Sequence, residues 1–400
     1  MKINRLFKMF LVGVPLVFGA AFVGANDTFI VSPEMGKVNF DARLRYEDVD
    51  DASALQDAEA LTIRFRLGYL TPTFKGLSAF AELESTTPLG GRDYNDLRGH
   101  GADRSVIADP DNNELNQAWV SYAGFDNTLI KLGRQRIIFD NSRFVGNVGW
   151  RQNEQTFDAL LVENNSLPDT VIAIGFIDDI KGITGTHSDV NAPIVNVKYS
   201  GLSFGDINGY GYFLDFDAAA ATDRDTLGLR FNGSAAVLDG LKVLYTAEYA
   251  QQDIHRAVAS DEQLDYYFVE AGFIASGVTI KISREVQEAK NGASFKTPLG
   301  TNHLYNGWAD QFLTTPVDGL EDTFLTLSTK FGGVKWVAVY HDFKAEDSGI
   351  DYGDELDLLA VKKFGKHYKV LMKYAMYDSG DAASGKSDKD KLWIQGEVTF

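Results

Sequence analysis

Cysteine is absent from all 400 residues. Its absence removes disulfide stapling, thiol catalysis and thiolate metal sites together. Histidine is scarce, and the six present (His100, His187, His255, His303, His341 and His367) are scattered with no HExxH-like pairing on a common face. They read as solvated loop or strand-end residues, and neither a metal site nor a cofactor is expected. Excess positive charge is missing too: the formal net charge of −18 argues against nucleic acid as a partner. No GxSxG elbow and no credible spacing of Ser, His and carboxylate occurs, so no catalytic residue is assigned. Past residue 25, no segment approaches the roughly 18 to 20 continuous apolar residues that a membrane helix needs.

What is present begins at the N-terminus. Lys2, Arg5 and Lys8 precede an apolar run from Met9 to Val23, which ends in Val23-Gly24-Ala25. This is the pattern of a secretory leader, residues 1–25, cut after Ala25. Thirty-eight bases less three leave 35 against 56 acids, a charge of −21 over the remaining 375 residues. With no linker or composition break, residues 26–400 read as one domain. An exported chain without a spanning helix is either soluble or a β-barrel.

Eighteen segments alternate apolar and polar residues at period two, bounded by Gly, Pro, Asn and Asp. The first nine are 37–47, 59–70, 77–86, 113–124, 128–136, 155–164, 170–179, 192–200 and 204–214. The second nine are 224–232, 240–251, 263–276, 277–287, 321–331, 334–343, 355–364, 366–377 and 390–400. Short turns such as Gly124-Phe125-Asp126-Asn127 and Gly332-Gly333 alternate with nine long connections, the longest at 87–112, 137–154 and 288–320. A soluble sandwich does not sort its loop lengths by side. An all-β transmembrane antiparallel barrel of eighteen strands does, with short periplasmic turns, long extracellular loops and both termini in the periplasm. The last strand ends on Phe400 and should close the barrel against 37–47.

The faces of the clearest strands agree. Leu61, Ile63, Phe65, Leu67 and Tyr69 share one side of 61–69, while Thr62, Arg64, Arg66 and Gly68 share the other. Two arginines in such a strand require a wet face. The inward set predicted in this way includes Arg43, Arg45, Arg64, Arg66, Lys131, Arg230, Lys242 and Lys281, opposed by Glu82, Glu84 and Glu248. Segments 155–164 and 355–364 carry apolar residues on both faces and leave their orientation open. Acid concentrates in the connections, as with Asp48, Asp50, Asp51 and Asp57 in 48–58 and Asp215, Asp217 and Asp223 near 215–225. A solvated outer rim is expected there, in preference to calcium at Asp109, Asp111 and Asn113.

Two loop segments resemble the alginate export family of outer-membrane β-barrels. One is Gly133-Arg134-Gln135-Arg136, Asp140, Arg143-Phe144-Val145-Gly146-Asn147, Trp150-Arg151 and Thr156-Phe157-Asp158-Ala159. The other is His303-Leu304-Tyr305-Asn306-Gly307-Trp308-Ala309-Asp310-Gln311-Phe312-Leu313 with Thr315-Pro316 and Gly319-Leu320-Glu321-Asp322. The resemblance implies a monomeric eighteen-stranded barrel, with Arg134, Arg136, Asp140, Arg143, Trp150 and Arg151 in or beside a loop that folds inward as a constriction. It also implies an exporter of acidic polysaccharide with a strongly basic lumen. The near balance of inward acids and bases here departs from that pattern.

An eighteen-strand lumen is wide enough for water, so the expected function is an outer-membrane channel for passive diffusion of small polar or anionic solutes. Export of an alginate-like polysaccharide is the alternative, and an outer-membrane enzyme or a purely structural barrel are the readings from other classes. Expected partners are outer-membrane lipid and lipopolysaccharide, together with small-molecule or oligosaccharide solutes.

Overall fold

A chain that alternates apolar and polar residues between turn formers can bury one face in lipid and keep the other wet only by pairing every strand edge. The computed structural model describes residues 35–218, 222–256 and 259–400, and there this chain does so. The expected leader at 1–25 lies outside the described residues.

The strands in chain order are β1 (Lys37–Asp51), β2 (Ala58–Leu70), β3 (Leu77–Pro88), β4 (Asn112–Phe125), β5 (Thr128–Gln135), β6 (Thr156–Asn164) and β7 (Thr170–Lys181). They continue with β8 (His187–Leu202), β9 (Gly205–Phe216), β10 (Thr222–Leu238), β11 (Leu241–Arg256), β12 (Glu262–Ala275) and β13 (Val278–Gln287). A two-residue hairpin follows, β14 (Ala289–Lys290) and β15 (Ala293–Ser294), and then β16 (Leu320–Phe331), β17 (Val334–Lys344), β18 (Asp351–Phe364), β19 (Tyr368–Ser379) and β20 (Lys389–Thr399). Apart from the hairpin, each strand pairs antiparallel with its chain neighbours, and β20 pairs with β1 to close an eighteen-stranded sheet.

All eighteen expected segments are strands. Several run further toward the long-loop end than the apolar pattern indicated. Asp48, Asp50 and Asp51 belong to β1, Asp215 to β9, and Asp223 and Asp225 to β10. Much of the expected acidic rim is therefore paired strand: backbone pairing continues past the apolar band because polar side chains do not interrupt a ladder. At the other end β10 continues to Leu238, and Gly240 (φ +76°) makes the turn into β11.

The outer face is apolar, with Phe65, Leu67, Leu83, Leu132, Leu229, Val269, Ile282 and Leu325 exposed along it. Tyr69 and Tyr245 near the turn end donate to the carbonyls of Met35 and Phe204, while Tyr249 and Tyr267 near the loop end donate to Asp265. These hydroxyls form two aromatic borders of the kind that sit at membrane interfaces.

The interior is not uniformly wet. Phe157, Ala159 and Leu161 of β6 are buried inward with Ile177, Ile194, Tyr210, Tyr212 and Tyr266, packed around Phe139, Phe144, Val145, Phe295 and Leu299 from the loops. This explains why 155–164 carries apolar residues on both faces: one meets lipid through Leu160, and the other meets an inserted loop. In β18 Leu358 faces out, and the buried Glu355 and Asp357 face in. A second cluster gathers Ala309, Phe312, Phe343, Tyr352, Tyr377 and Trp393, with Trp150 and Trp308 against it.

Candidate functional site

The site grows from the seam where the first strand meets the last. In β1 and β2 Arg43 lies opposite Arg64 and Asp41 opposite Arg66, and across the seam Arg43 lies opposite Glu397 and Arg45 opposite Gln395. Arg43 Nε pairs with Glu397 at 3.0 Å, and Arg45 Nε donates to Gln395 at 2.9 Å. Facing arginines would repel unless something accepted from both, and the segment 149–152 of the loop 136–155 does so with its carbonyls. Arg43 Nη1 donates to Gly149 (3.2 Å), Trp150 (3.1 Å) and Arg151 (3.0 Å), Arg45 Nη2 to Trp150 (2.5 Å), and Arg64 Nη1 to Gln152 (3.3 Å). Arg45 and Arg64 are each only 1 % exposed. The arginine row therefore holds a loop against the wall.

The rest of this loop is fixed by charge. Arg136 Nη2 donates to Glu82 (2.7 Å) and Arg136 Nε to Glu154, which also lies 3.6 Å from Arg66 and accepts from Asn116 (2.5 Å). Glu84 pairs with Arg66. Burial by itself would raise the Glu154 carboxyl, but Arg66 and Arg136 hold it down at about 2. Arg151 donates to both oxygens of Glu47 (2.9 Å) and lies 3.6 Å from Asp109. Asp109 is thus a buried ion-pair partner of Arg151 and Arg45, whereas Asp111 pairs with Arg92 and Asn113 bonds Ser85. The acidic run 109–113 is dispersed, and no group of three metal-ligating side chains occurs among the described residues.

A second loop, 288–319, enters from the far side and meets the first at Arg143. Its guanidinium donates to Glu285 (2.6 Å), Asn302 (3.1 Å), Asn306 (3.1 Å) and Thr297 (3.3 Å), and it lies 4.8 Å from the Tyr305 ring centre. Burial lowers the Arg143 pKa, and Glu285 more than reverses it. Trp150 stacks on His303 (4.7 Å between centroids), and Lys373 of β19 sits 4.2 Å from Trp150 and 3.8 Å from Trp308. Lys373 Nζ donates to His303 Nε2 at 2.7 Å, His303 Nδ1 pairs with Asp310, and Lys391 of β20 donates to Asp310 at 2.7 Å. Lys391 in turn lies 3.3 Å from Glu47, joining the two loops through the seam.

Residues 307–309 dock on β18, where Ala309 N donates to Glu355 (2.7 Å) and Trp308 N to Asp357 (3.2 Å). Gly307 is required at this contact: its φ is +83°, and a Cβ there would lie 2.4 Å from a Glu355 oxygen. His303, 3 % exposed, corrects the expectation of solvated histidines, as does buried His341 between Asp322 and Asp357. Burial drives the His303 imidazole down to about 3; Asp310 opposes the shift and Lys373 reinforces it.

Of the other residues predicted for the site, Arg230 meets Asp140 of the first loop at 2.6 Å and Glu248 at 3.5 Å, and Tyr210 donates to Glu248 at 2.7 Å. Lys281 pairs with Glu270 (2.8 Å), Lys131 lies 4.7 Å from the Trp119 ring centre, and Lys242 shares the inner face with Thr246 and Glu248 near the turn end. Arg134 is a correction. It lies on β5, on the same side as Leu132 (56 % exposed), and pairs with Asp158 of β6 at 2.8 Å on the outer wall. The buried Gln135 beside it takes the inward direction, which a strand's alternation denies to Arg134.

Sequence reading placed Lys391 and Glu397 on the lumen face of the closing seam, where they lie, and missed Glu154, Trp393 and Asp310 as partners within this site. Their one signal was position within the two loop segments or on the closing strand. The two loops thus meet inside the barrel and are joined to each other and to the wall by buried charge.

Residues 35–175 match the model of the family described as alginate export. No curated protein matches the chain. Among solved structures, OccAB3 of Acinetobacter baumannii is similar at 12 % identity, over 91 % of this chain and 98 % of that one, with a TM-score of 0.72. OccK9 (OpdG) of Pseudomonas aeruginosa is similar at 15 % identity, over 91 % and 98 %, with a TM-score of 0.71. OpdK of Pseudomonas aeruginosa, solved with vanillate, gives 14 % identity, 91 % and 98 %, and a TM-score of 0.69. The fold and the family match agree, and the chain is an eighteen-stranded β-barrel of the outer-membrane type that carries the alginate export family's sequence pattern over residues 35–175.

Proposed function

We propose that the barrel is a monomeric channel for passive diffusion of small polar or anionic solutes across the outer membrane. One observation carries this reading. Two long loops from opposite walls enter a lumen that eighteen strands would otherwise leave wide, and buried ion pairs fix both in place. Loops held this way narrow a passage to a set size, and charges of both signs around it orient dipolar solutes. In this reading Arg43, Arg45, Arg64, Arg66, Glu82 and Glu84 build the constriction through the loop they hold. Lys131, Arg230, Lys242, Glu248 and Lys281 line the wall beside it. The similar OpdK was solved with vanillate, an aromatic carboxylate, which supports a small anionic solute as the cargo.

Planar-bilayer recording of the purified barrel tests the proposal. Stepwise single-channel currents in potassium chloride are expected, and a barrel that inserts yet stays silent overturns it. Export of an anionic polysaccharide is the second reading, favoured by the family match over 35–175. A polyanion needs a continuous basic path, whereas the inner-face arginines here are paired with carboxylates and carbonyls. Uronate oligomers that block the current while small carboxylates do not would favour export.

A further inference from the structure

The inward arginines described above, from Arg43 to Arg230, each meet a carboxylate, and Arg224, at the edge of one cavity, does not. A space of about 320 Å³ opens at the long-loop end between the ends of β9, β10 and β13 and the loop segments 296–298 and 312–315. Three bases line it, Arg143, Arg224 and Lys296, and no Asp or Glu does. Arg143 is neutralised by Glu285. Arg224 and Lys296 have no carboxylate partner among the described residues, in a chain with 56 acids against 38 bases.

The two cations are nevertheless held deliberately. Arg224 faces inward from β10, 7 % exposed, and its Nη1 donates to Gln252 Oε1 (2.8 Å) and the Ser294 carbonyl (3.2 Å). Gln252 also accepts from Lys296 N (3.1 Å) and donates to Lys296 O (2.9 Å) and Thr226 (2.8 Å). One side chain thereby fixes the guanidinium and the backbone that carries the ammonium. Nε and Nη2 of Arg224 and Nζ of Lys296 remain without hydrogen-bond partners among the described residues. Two like charges kept together without an acid cost free energy unless an anion joins them. A guanidinium with its Nε–H and Nη2–H free along one edge matches a carboxylate in planar, two-point contact. Phe216, Phe312 and Leu313 supply apolar walls beside it. The volume is at the small end of ligand cavities.

We propose that this cavity is a capture site for small monocarboxylates with an apolar or aromatic body, Arg224 and Lys296 holding the carboxylate and the phenylalanines the body. As a site at the outer mouth it deepens the channel reading and rests on it for its role, though binding itself can be measured without conduction.

Calorimetry with benzoate on the purified full-length barrel is the test, with benzamide as the uncharged control. Benzoate is expected to bind saturably and benzamide at least about tenfold more weakly, because the charge-assisted contacts are lost. Arg224→Gln and Lys296→Gln should each weaken benzoate about tenfold, with barrel folding checked by heat-modifiable gel mobility. Arg256→Gln, outside the cavity, should bind as the parent does. Equal affinity for benzoate and benzamide, no benzoate binding to the parent, or unchanged binding in the double variant would each overturn the site. A parent that binds benzoate through these residues but is silent in a bilayer would keep the site and remove the channel. A conducting parent with no benzoate binding would do the reverse.

Discussion

Arg143 offers the sharpest test of how the two inward loops are held. It is 2 % exposed, and its guanidinium joins Glu285 on the wall to Thr297, Asn302 and Asn306 of the facing loop. Replacing it by Met keeps much of the volume but leaves Glu285, itself 1 % exposed, with only Tyr266 (2.8 Å) and Asn306 (2.9 Å) as donors. An uncompensated buried charge costs about 3–5 kcal/mol. The barrel's ladder is untouched, so the cost falls on loop docking. Cleavage of a transiently open segment follows its open population, and about 3 kcal/mol is roughly a hundredfold in that population. Chymotrypsin should therefore cut Arg143→Met at Phe139, Phe144 or Trp150 up to about a hundred times faster than the parent, with no change in barrel integrity. Adding Glu285→Gln removes the stranded charge and should recover at least half of that loss. Unchanged cleavage in the single variant, or no recovery in the double, refutes the assignment of docking to this ion pair.

Three further outcomes follow from the same geometry. His303 resists protonation until about pH 3 when docked, whereas the undocked loop takes a proton near the ordinary 6.5, so the undocked state binds more protons between these values. Docking should weaken by about 1.4 kcal/mol per pH unit as pH falls from 6.5, seen as a red shift in tryptophan fluorescence that His303→Gln flattens. Asp310, Lys373 and Arg151 all face this imidazole's site, and Glu154, held at about 2, adds a further loss below about pH 4.5. Gly307→Ala should force a positive φ on alanine, at about 1–2 kcal/mol, and push into Glu355, raising current noise in bilayers; quiet parental traces would show that the contact is not needed. Arg134→Ala should cost under about 1 kcal/mol and leave conductance unchanged, since its partner Asp158 lies on the outer wall; a changed conductance would place Arg134 in the passage.

The amino-acid sequence by itself determined the wall. Period-two alternation, turn residues and loop lengths sorted by side are local properties, and a strand's side chains must point alternately to lipid and lumen whatever else the chain does. Arg43, Arg64 and Glu397 could be placed on one face from spacing alone, and the closure of β20 on β1 follows from an even strand count. Only the tertiary structure decided what the inner face meets. Arg45 reaches Trp150 across about a hundred residues, and Arg143 reaches Glu285 across more, so no window of sequence contains both partners. The inner side of β6 looked ambiguous because Phe157 and Leu161 pack on an inserted loop, a role that period two cannot distinguish from facing lipid. His303 looked solvated because its burial depends on Trp150 and Lys373 arriving from the other inward loop and from β19. Arg134 and Arg136 stand two residues apart, yet the strand ends between them at Gln135, and that boundary puts one on the outer wall and the other against Glu82 and Glu154.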